Sequence, residues 1–275
     1  MVQRTSTSNN RDASSVDGWN AALLSGVAGF VDAAGFLALF GLLPSHVTAD
    51  LVSAGAMSSN HKLPIAAPLS MIPLFMFSVA GTALLVRALR RRGIPTLAPL
   101  FALMTAALSS CCLCGVVFGG FSDGPASWKL IFVAGTAVAA MGIQNAMMRE
   151  TLRHLCPTTV MTGNLAQVTI DLVDLVILSH ASSRTAQQQR KAVVRRLNRF
   201  GVPVLSFVIG AMLGAWLTRS FGLLSVGLPV FVLGGLTVSA WREARVPGRA
   251  ATLEDARPTR PSLFPRPELV SRPDL

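Results

Sequence analysis

Long stretches without a charged residue, separated by short clusters of arginine, constrain this chain more than any other feature. Residues 63–86, 93–122, 130–148, 200–218 and 220–241 contain no Asp, Glu, Lys or Arg, and residues 18–49 contain only Asp32. A hydrocarbon core of about 30 Å is crossed by about 20 apolar residues in a helix, so runs of this kind are long enough to span it. They predict an all-α polytopic membrane protein with six transmembrane helices, at about 20–42, 64–87, 95–120, 128–150, 201–219 and 222–242. Two further apolar segments are interrupted by polar residues. Ser45–Ser59 is too short to span and holds Asp50, whereas Thr158–Ser179 is long enough but holds Thr162-Gly163-Asn164, Asp171 and Asp174.

Charge arbitrates between spanning and re-entry. Charged residues are 13% of the 275, against roughly a quarter in a soluble domain, which excludes a conventional water-soluble enzyme. Lys plus Arg outnumber Asp plus Glu by 24 to 13, yet they gather between the apolar runs and cannot form one face for nucleic acid. The strongest clusters lie at Arg87–Arg92, Arg184–Arg199 and Arg242–Arg249. Lys and Arg in short loops stay on the cytoplasmic side. All three clusters and both termini fall on that side if the two ambiguous segments dip into the bilayer and return. If both segments spanned, the first two clusters would face opposite sides. The expectation is therefore six spans plus two short re-entrant half-helices in a transmembrane domain at 19–243. Residues 1–18 and the Pro/Arg-rich 244–275 bury too little apolar surface to fold and are expected as disordered tails. The first apolar run is longer than a signal-peptide core and has no convincing cleavage site, so it is read as a helix of the mature protein.

The apolar region repeats. Gly29-Phe30-Val31-Asp32-Ala33 aligns with Gly142-Ile143-Gln144-Asn145-Ala146, and Pro44 with Pro157, at an offset of 113. Val47-Thr48-Ala49-Asp50-Leu51 aligns with Met161-Thr162-Gly163-Asn164-Leu165 at 114, and Pro73 and Phe77 with Pro203 and Phe207 at 130. Each half, about 20–121 and 128–243, reads helix, polar re-entrant segment, helix, helix. Three spans per half is an odd number, so the second copy enters from the opposite face. The expected architecture is a 3+3 inverted internal repeat, which in secondary transporters places polar sites near the midplane at broken helices.

The pairing of a G-x-x-[DN]-A helix with a following T-[GA]-[DN]-L segment, above all Gly142-Ile143-Gln144-Asn145-Ala146 followed by Thr158-Thr159-Val160-Met161-Thr162-Gly163-Asn164-Leu165, resembles the YoaK family of uncharacterised bacterial membrane proteins. The resemblance covers about residues 20–242. It implies a six-helix protein of the bacterial inner membrane and supplies no substrate. The first half departs from the pattern, with Ala49 and Asp50 where the motif has glycine and asparagine.

The candidate site follows from polar groups at matched positions. A carboxylate at a helix centre costs on the order of 3 kcal/mol, so Asp32 is expected to face the bundle interior, either as a proton or cation site or as a hydrogen-bonded link between helices. Asn145 is its neutral counterpart, and Gln144 beside it reads first as a link between helices. Thr48 and Asp50, with Thr162, Gly163 and Asn164, sit where two half-helices would begin. These residue types cap helix starts, and two such starts would aim positive ends at a common interior point. Asp171 and Asp174 share one helix face, expected to be solvated. Arg149 and Arg153 read as anchors on the positive side, and the basic loop at 184–199 as orientation first and a hold for anionic lipid second. Gly210-xxx-Gly214 is a small-residue packing face. Cys111, Cys112 and Cys114 on one helix cannot aim three sulfurs at one ion, so neither metal nor cofactor is expected. No nucleophile motif appears and no enzyme is expected. The expected function is transport of a small polar solute or ion through a midplane site, the alternative a membrane scaffold whose polar pairs are structural. The expected partners are the lipid bilayer and that unidentified solute, with a second copy of the chain as an option and no nucleic acid.

Overall fold

The computed structural model describes residues 3–58, 66–118, 121, 124, 127–180 and 183–245, with side chains from Gly18 onward. Its helices are α1 (Gln3–Ala38), α2 (Val47–Ser58), α3 (Ala66–Arg91), α4 (Leu97–Val117), α5 (Trp128–Glu150), α6 (Met161–Ser179) and α7 (Arg184–Phe221), then a 3-10 turn at Gly222–Val226 and α8 (Gly227–Ala244). No strand occurs among the described residues. The tail expected at the C-terminus lies outside them beyond Arg245. α1 begins at Gln3, inside the segment expected as the N-terminal tail. No proline occurs before Pro44, so nothing in that segment's backbone chemistry stops the helix. α1 ends where Phe40 and Gly41 take positive φ, 55° and 85°.

Six helical stretches are long and apolar enough to cross a membrane: Gly18–Ala38, Ala66–Arg91, Leu97–Val117, Trp128–Glu150, Met161–Ser179 and Arg184–Ala244. The number matches the expected six, but the membership does not. Arg184–Ala244 contains two helices, and α6, expected as a re-entrant segment, qualifies with 19 residues. Large apolar side chains face outward, Phe77 at 75% and Phe231 at 81% exposure. An outer surface this apolar suits acyl chains and not water.

The bundle is built around the first helix of each half. The apolar windows of α1 and α5 are 67% and 72% buried, against 17% for α3 and α6. α1 packs on α7 and α5 packs on α3; α4 lies between α5 and α8, while α2 leans on α3 and α6 on α7. The α1–α7 seam is backbone against backbone. A Cβ on Gly210 would lie 2.1 Å from the Gly26 carbonyl oxygen, one on Gly214 2.6 Å from that of Phe30, and one on Gly29 2.2 Å from that of Phe207. Only glycine permits this approach, the small-residue packing of membrane helices. The α5–α3 seam is looser, because what lies 2.8 Å from a Cβ on Gly142 is the Ser78 hydroxyl.

Polar contacts define one basic end. Arg90 donates to the Glu150 carbonyl oxygen, and its guanidinium lies 3.6 Å from the Glu150 carboxylate, which Arg153 also approaches at 3.8 Å. Arg199 donates to the His154 carbonyl oxygen. Thr105 meets Thr237 at 3.3 Å and Cys112, further along α4, reaches the Leu224 carbonyl oxygen just before α8, so α4 and α8 run antiparallel and Arg242 falls at this same end. Asp171, expected on a solvated face, is fully buried against α7: Arg196 Nε donates to its Oδ1 at 2.6 Å and Gln167 at 2.8 Å. The turn between α6 and α7 centres near residue 183 and brings the two positions level. Asp174 takes the other end of the same guanidinium at 2.9 Å.

Candidate functional site

Two polar clusters form, each where a helix end is tied to the loop that follows. In the first half three donors converge on Asp32, which is 4% exposed. The Ser45 backbone N–H donates to Oδ1 at 2.7 Å, the Ser45 hydroxyl to Oδ2 at 2.6 Å, and His46 Nδ1 lies 2.5 Å from Oδ2. His46 Nδ1 faces the Asp32 carboxyl, and the other ring nitrogen lies outside this contact. Four residues on, Asp50 sits in the first turn of α2 and accepts the Leu43 N–H on Oδ1 at 3.0 Å. Its Oδ2 is buried with no partner. Asp32, His46 and Ala49, with Gly29 and Phe207, line an open groove of about 450 Å³ whose walls are otherwise apolar.

The second half repeats these links with neutral groups. Thr159 donates to Asn145 Oδ1 at 3.0 Å, where Ser45 donates to Asp32. Asn164 Nδ2 donates to the Pro157 carbonyl oxygen at 2.7 Å. That bond spans seven residues, as the Leu43–Asp50 bond does, but its polarity is reversed: an amide donates to a carbonyl where a carboxylate accepts from an N–H. Gln144, fully buried, donates to Thr158 Oγ1 at 2.9 Å and across to the Leu24 carbonyl oxygen of α1 at 3.0 Å. It links two helices, although its Oε1 stays unpartnered.

The structure thus divides the sequence-derived site. Asp32 and Asp50 come together through the Leu43–His46 loop; Gln144, Asn145 and Asn164 come together through Pro157–Thr159. Gln144 is level with Leu24, and Asp32 lies eight residues further along α1, about 12 Å at the α-helical rise. The clusters are therefore separated along α1. Thr48, Thr162 and Gly163 are exposed on the outer sides of α2 and α6 and reach neither cluster. Ser45, His46, Thr158 and Thr159 were not singled out in the sequence. The signal for them was available: Ser45 and Thr159 follow Asp32 and Asn145 by 13 and 14 residues. Among the described residues no group of three or more His, Cys, Asp or Glu is placed to hold a metal.

A helical bundle with lipid-compatible outer faces, and with buried polar clusters tying re-folded loops to its two central helices, is a multi-pass membrane protein by length and composition. Over residues 20–239 the chain matches DUF1275, described as a protein of unknown function, and it belongs to that family. Comparison with curated proteins and with solved structures finds no match.

Proposed function

We propose that the protein is a secondary transporter of a small polar solute or ion, built as a 3+3 inverted repeat of the YoaK-like type in a bacterial inner membrane with both termini cytoplasmic. The repeat is supported by packing that exchanges the halves: α1 on α7 answers α5 on α3, and α2 on α3 answers α6 on α7. Re-entry of α6 is supported by depth. Thr158 and Thr159 lie level with Gln144 and Asn145, inside the bundle, whereas Asp171 lies level with Arg196 at the basic end. No catalytic role is assigned to any residue.

One observation carries the transport reading. Of two clusters with the same links, only the first is ionisable, and it holds an orphaned buried carboxylate oxygen, Asp50 Oδ2, near a histidine that lines an open groove; the other such oxygen among the described residues, Asp171 Oδ2, belongs to a carboxylate already paired with Arg196. An unpartnered buried carboxylate oxygen is costly, so a proton or a cation is the occupant that relieves it. Asp32 orients His46, and Asp50 takes the load. This reading is tested by uptake of a metabolite panel into proteoliposomes under an imposed pH gradient. Accumulation that follows the gradient in wild type and loses that dependence in Asp50→Asn and Asp32→Asn supports it. A transported solute whose pH dependence survives both substitutions overturns the coupling role.

A second reading, a membrane scaffold, is favoured by the engagement of Gln144, Asn145 and Asn164 in interior bonds. It gains if Asn164→Ala and Asp32→Asn sharply lower the melting temperature while no solute of the panel raises that of the wild type.

A further inference from the structure

The offset between the halves rises from 114 at Asp50 and Asn164 to 130 at Pro73 and Pro203, so the second half carries sixteen extra residues there. They are not a loop. α6 has 19 residues where α2 has 12, α7 has 38 where α3 has 26, and only positions 180–183 separate α6 from α7. The extra chain is an antiparallel helical arm, closed by Asp171 and Asp174 on Arg196 at 2.6 and 2.9 Å. Beyond Arg199, which is tied to His154 at the basic end, α7 continues outward to Arg184, about 22 Å of helix.

Two faces of the arm have no partner. Past Asp171, α6 turns out Leu172, Val173, Val176 and Ile177, each more than half exposed. α7 exposes Arg184, Arg190, Lys191 and Arg195, which make no ion pair among the described residues. The cations exclude the acyl core and the apolar strip excludes water. The boundary between headgroups and acyl chains accepts both, as it does for amphipathic helices with basic polar faces. Pro203, inside α7 near the foot of the arm, removes a helical hydrogen bond and allows the helix to bend toward that boundary.

We infer that the α6–α7 arm docks on an anionic lipid surface, its α6 strip at the acyl boundary and its exposed α7 cations among lipid phosphates. This does not depend on transport. The test is a melting curve of the full chain in neutral detergent, titrated with phosphatidylglycerol or phosphatidylcholine, for wild type, for Arg190→Gln/Lys191→Gln/Arg195→Gln, and for Arg91→Gln/Arg92→Gln at the other basic loop. Phosphatidylglycerol raises the wild-type midpoint and phosphatidylcholine does not. The arm triple variant needs about 100-fold more phosphatidylglycerol for the same rise, the fold-change that corresponds to about 1 kcal/mol per basic residue at an anionic surface. The loop variant keeps the wild-type response. Leu172→Ser/Val176→Ser, with all cations kept, weakens the response as well. Equal rises in both lipids, an unchanged triple variant, the same rise with inorganic phosphate alone, or a rise that follows protein concentration and marks a second copy on the strip would each overturn the inference.

Discussion

The clusters at Asp32 and Asn145 solve one mechanical problem with opposite electrostatics. Both fasten a loop back onto a central helix, and both set a seven-residue bond at the start of the next helix, Leu43 to Asp50 and Asn164 to Pro157. In the second half the amides satisfy these bonds without charge. In the first, two carboxylates and a histidine occupy matching ground, and one carboxylate oxygen is left over. Fastening alone does not require the acids, since the amide version exists in the same chain. The surplus charge, unpaired at Asp50 where Asp171 in the second half is held by Arg196, is what distinguishes the two clusters.

The largest break in this comparison lies in the seams behind the clusters. Gly210→Val would drive a side chain into the Gly26 backbone and is expected to cost about 3 kcal/mol or more, whereas Gly142→Ala meets the Ser78 hydroxyl and Cβ at 2.8 and 2.9 Å and is expected to cost less, about 2 kcal/mol. Melting midpoints in detergent with yields of monodisperse protein check both. Next, Asp32→Ala leaves three donors without their acceptor and is expected to lower stability by about 3 kcal/mol, while Asn145→Ala costs about 1 kcal/mol. Equal losses would show that the clusters are equivalent fasteners.

Exchanging the amide and the acid sharpens the contrast. Asn164→Asp sets a carboxylate oxygen against the Pro157 carbonyl oxygen, with an expected cost of about 2 kcal/mol. Only a protonated carboxyl can donate there, so the folded state holds that proton more tightly than the unfolded chain. The deficit is therefore expected to shrink as pH falls and to be complete at neutral pH, a sign that melting curves at pH 5 and pH 7.5 would read. Asp50→Asn keeps an oxygen for the Leu43 N–H and is expected to change stability by less than about 1 kcal/mol. Smallest of all, Thr48→Ala and Thr162→Ala, both at exposed positions, should stay within about 0.5 kcal/mol of wild type.

Much of this architecture is legible in the chain because its causes are local. Uncharged runs mark the helices, and the matched offsets find both polar pairs and the jump that becomes the arm. What the sequence hides is depth. Pro44 and Pro157 end the preceding turns, but how far each loop folds back depends on Ser45 and Thr159 reaching helices already packed. The Gln144–Leu24 bond, which sets the second cluster eight residues along α1 from Asp32, depends on packing between halves and has no local signal. Asp171 looked solvated because an isolated helix offers no partner; its burial follows from the turn near 183, which sets Arg196 beside it. Thr48 and Thr162 share a motif with Asp50 and Asn164 yet point elsewhere, since neighbours two apart on a helix do not share a face.

The exchange of partners between the halves has a mechanical corollary. Because α1 seats on α7 and α5 on α3, the leading helix of each half takes its main partner from the other half. Were the two halves to move apart as units, both of these seams would have to open. In the proposed transporter the moving bodies would be mixed ones, a pair led by α1 with α7 and a pair led by α5 with α3, and the glycine-lined weld inside the first would travel as one rigid lever.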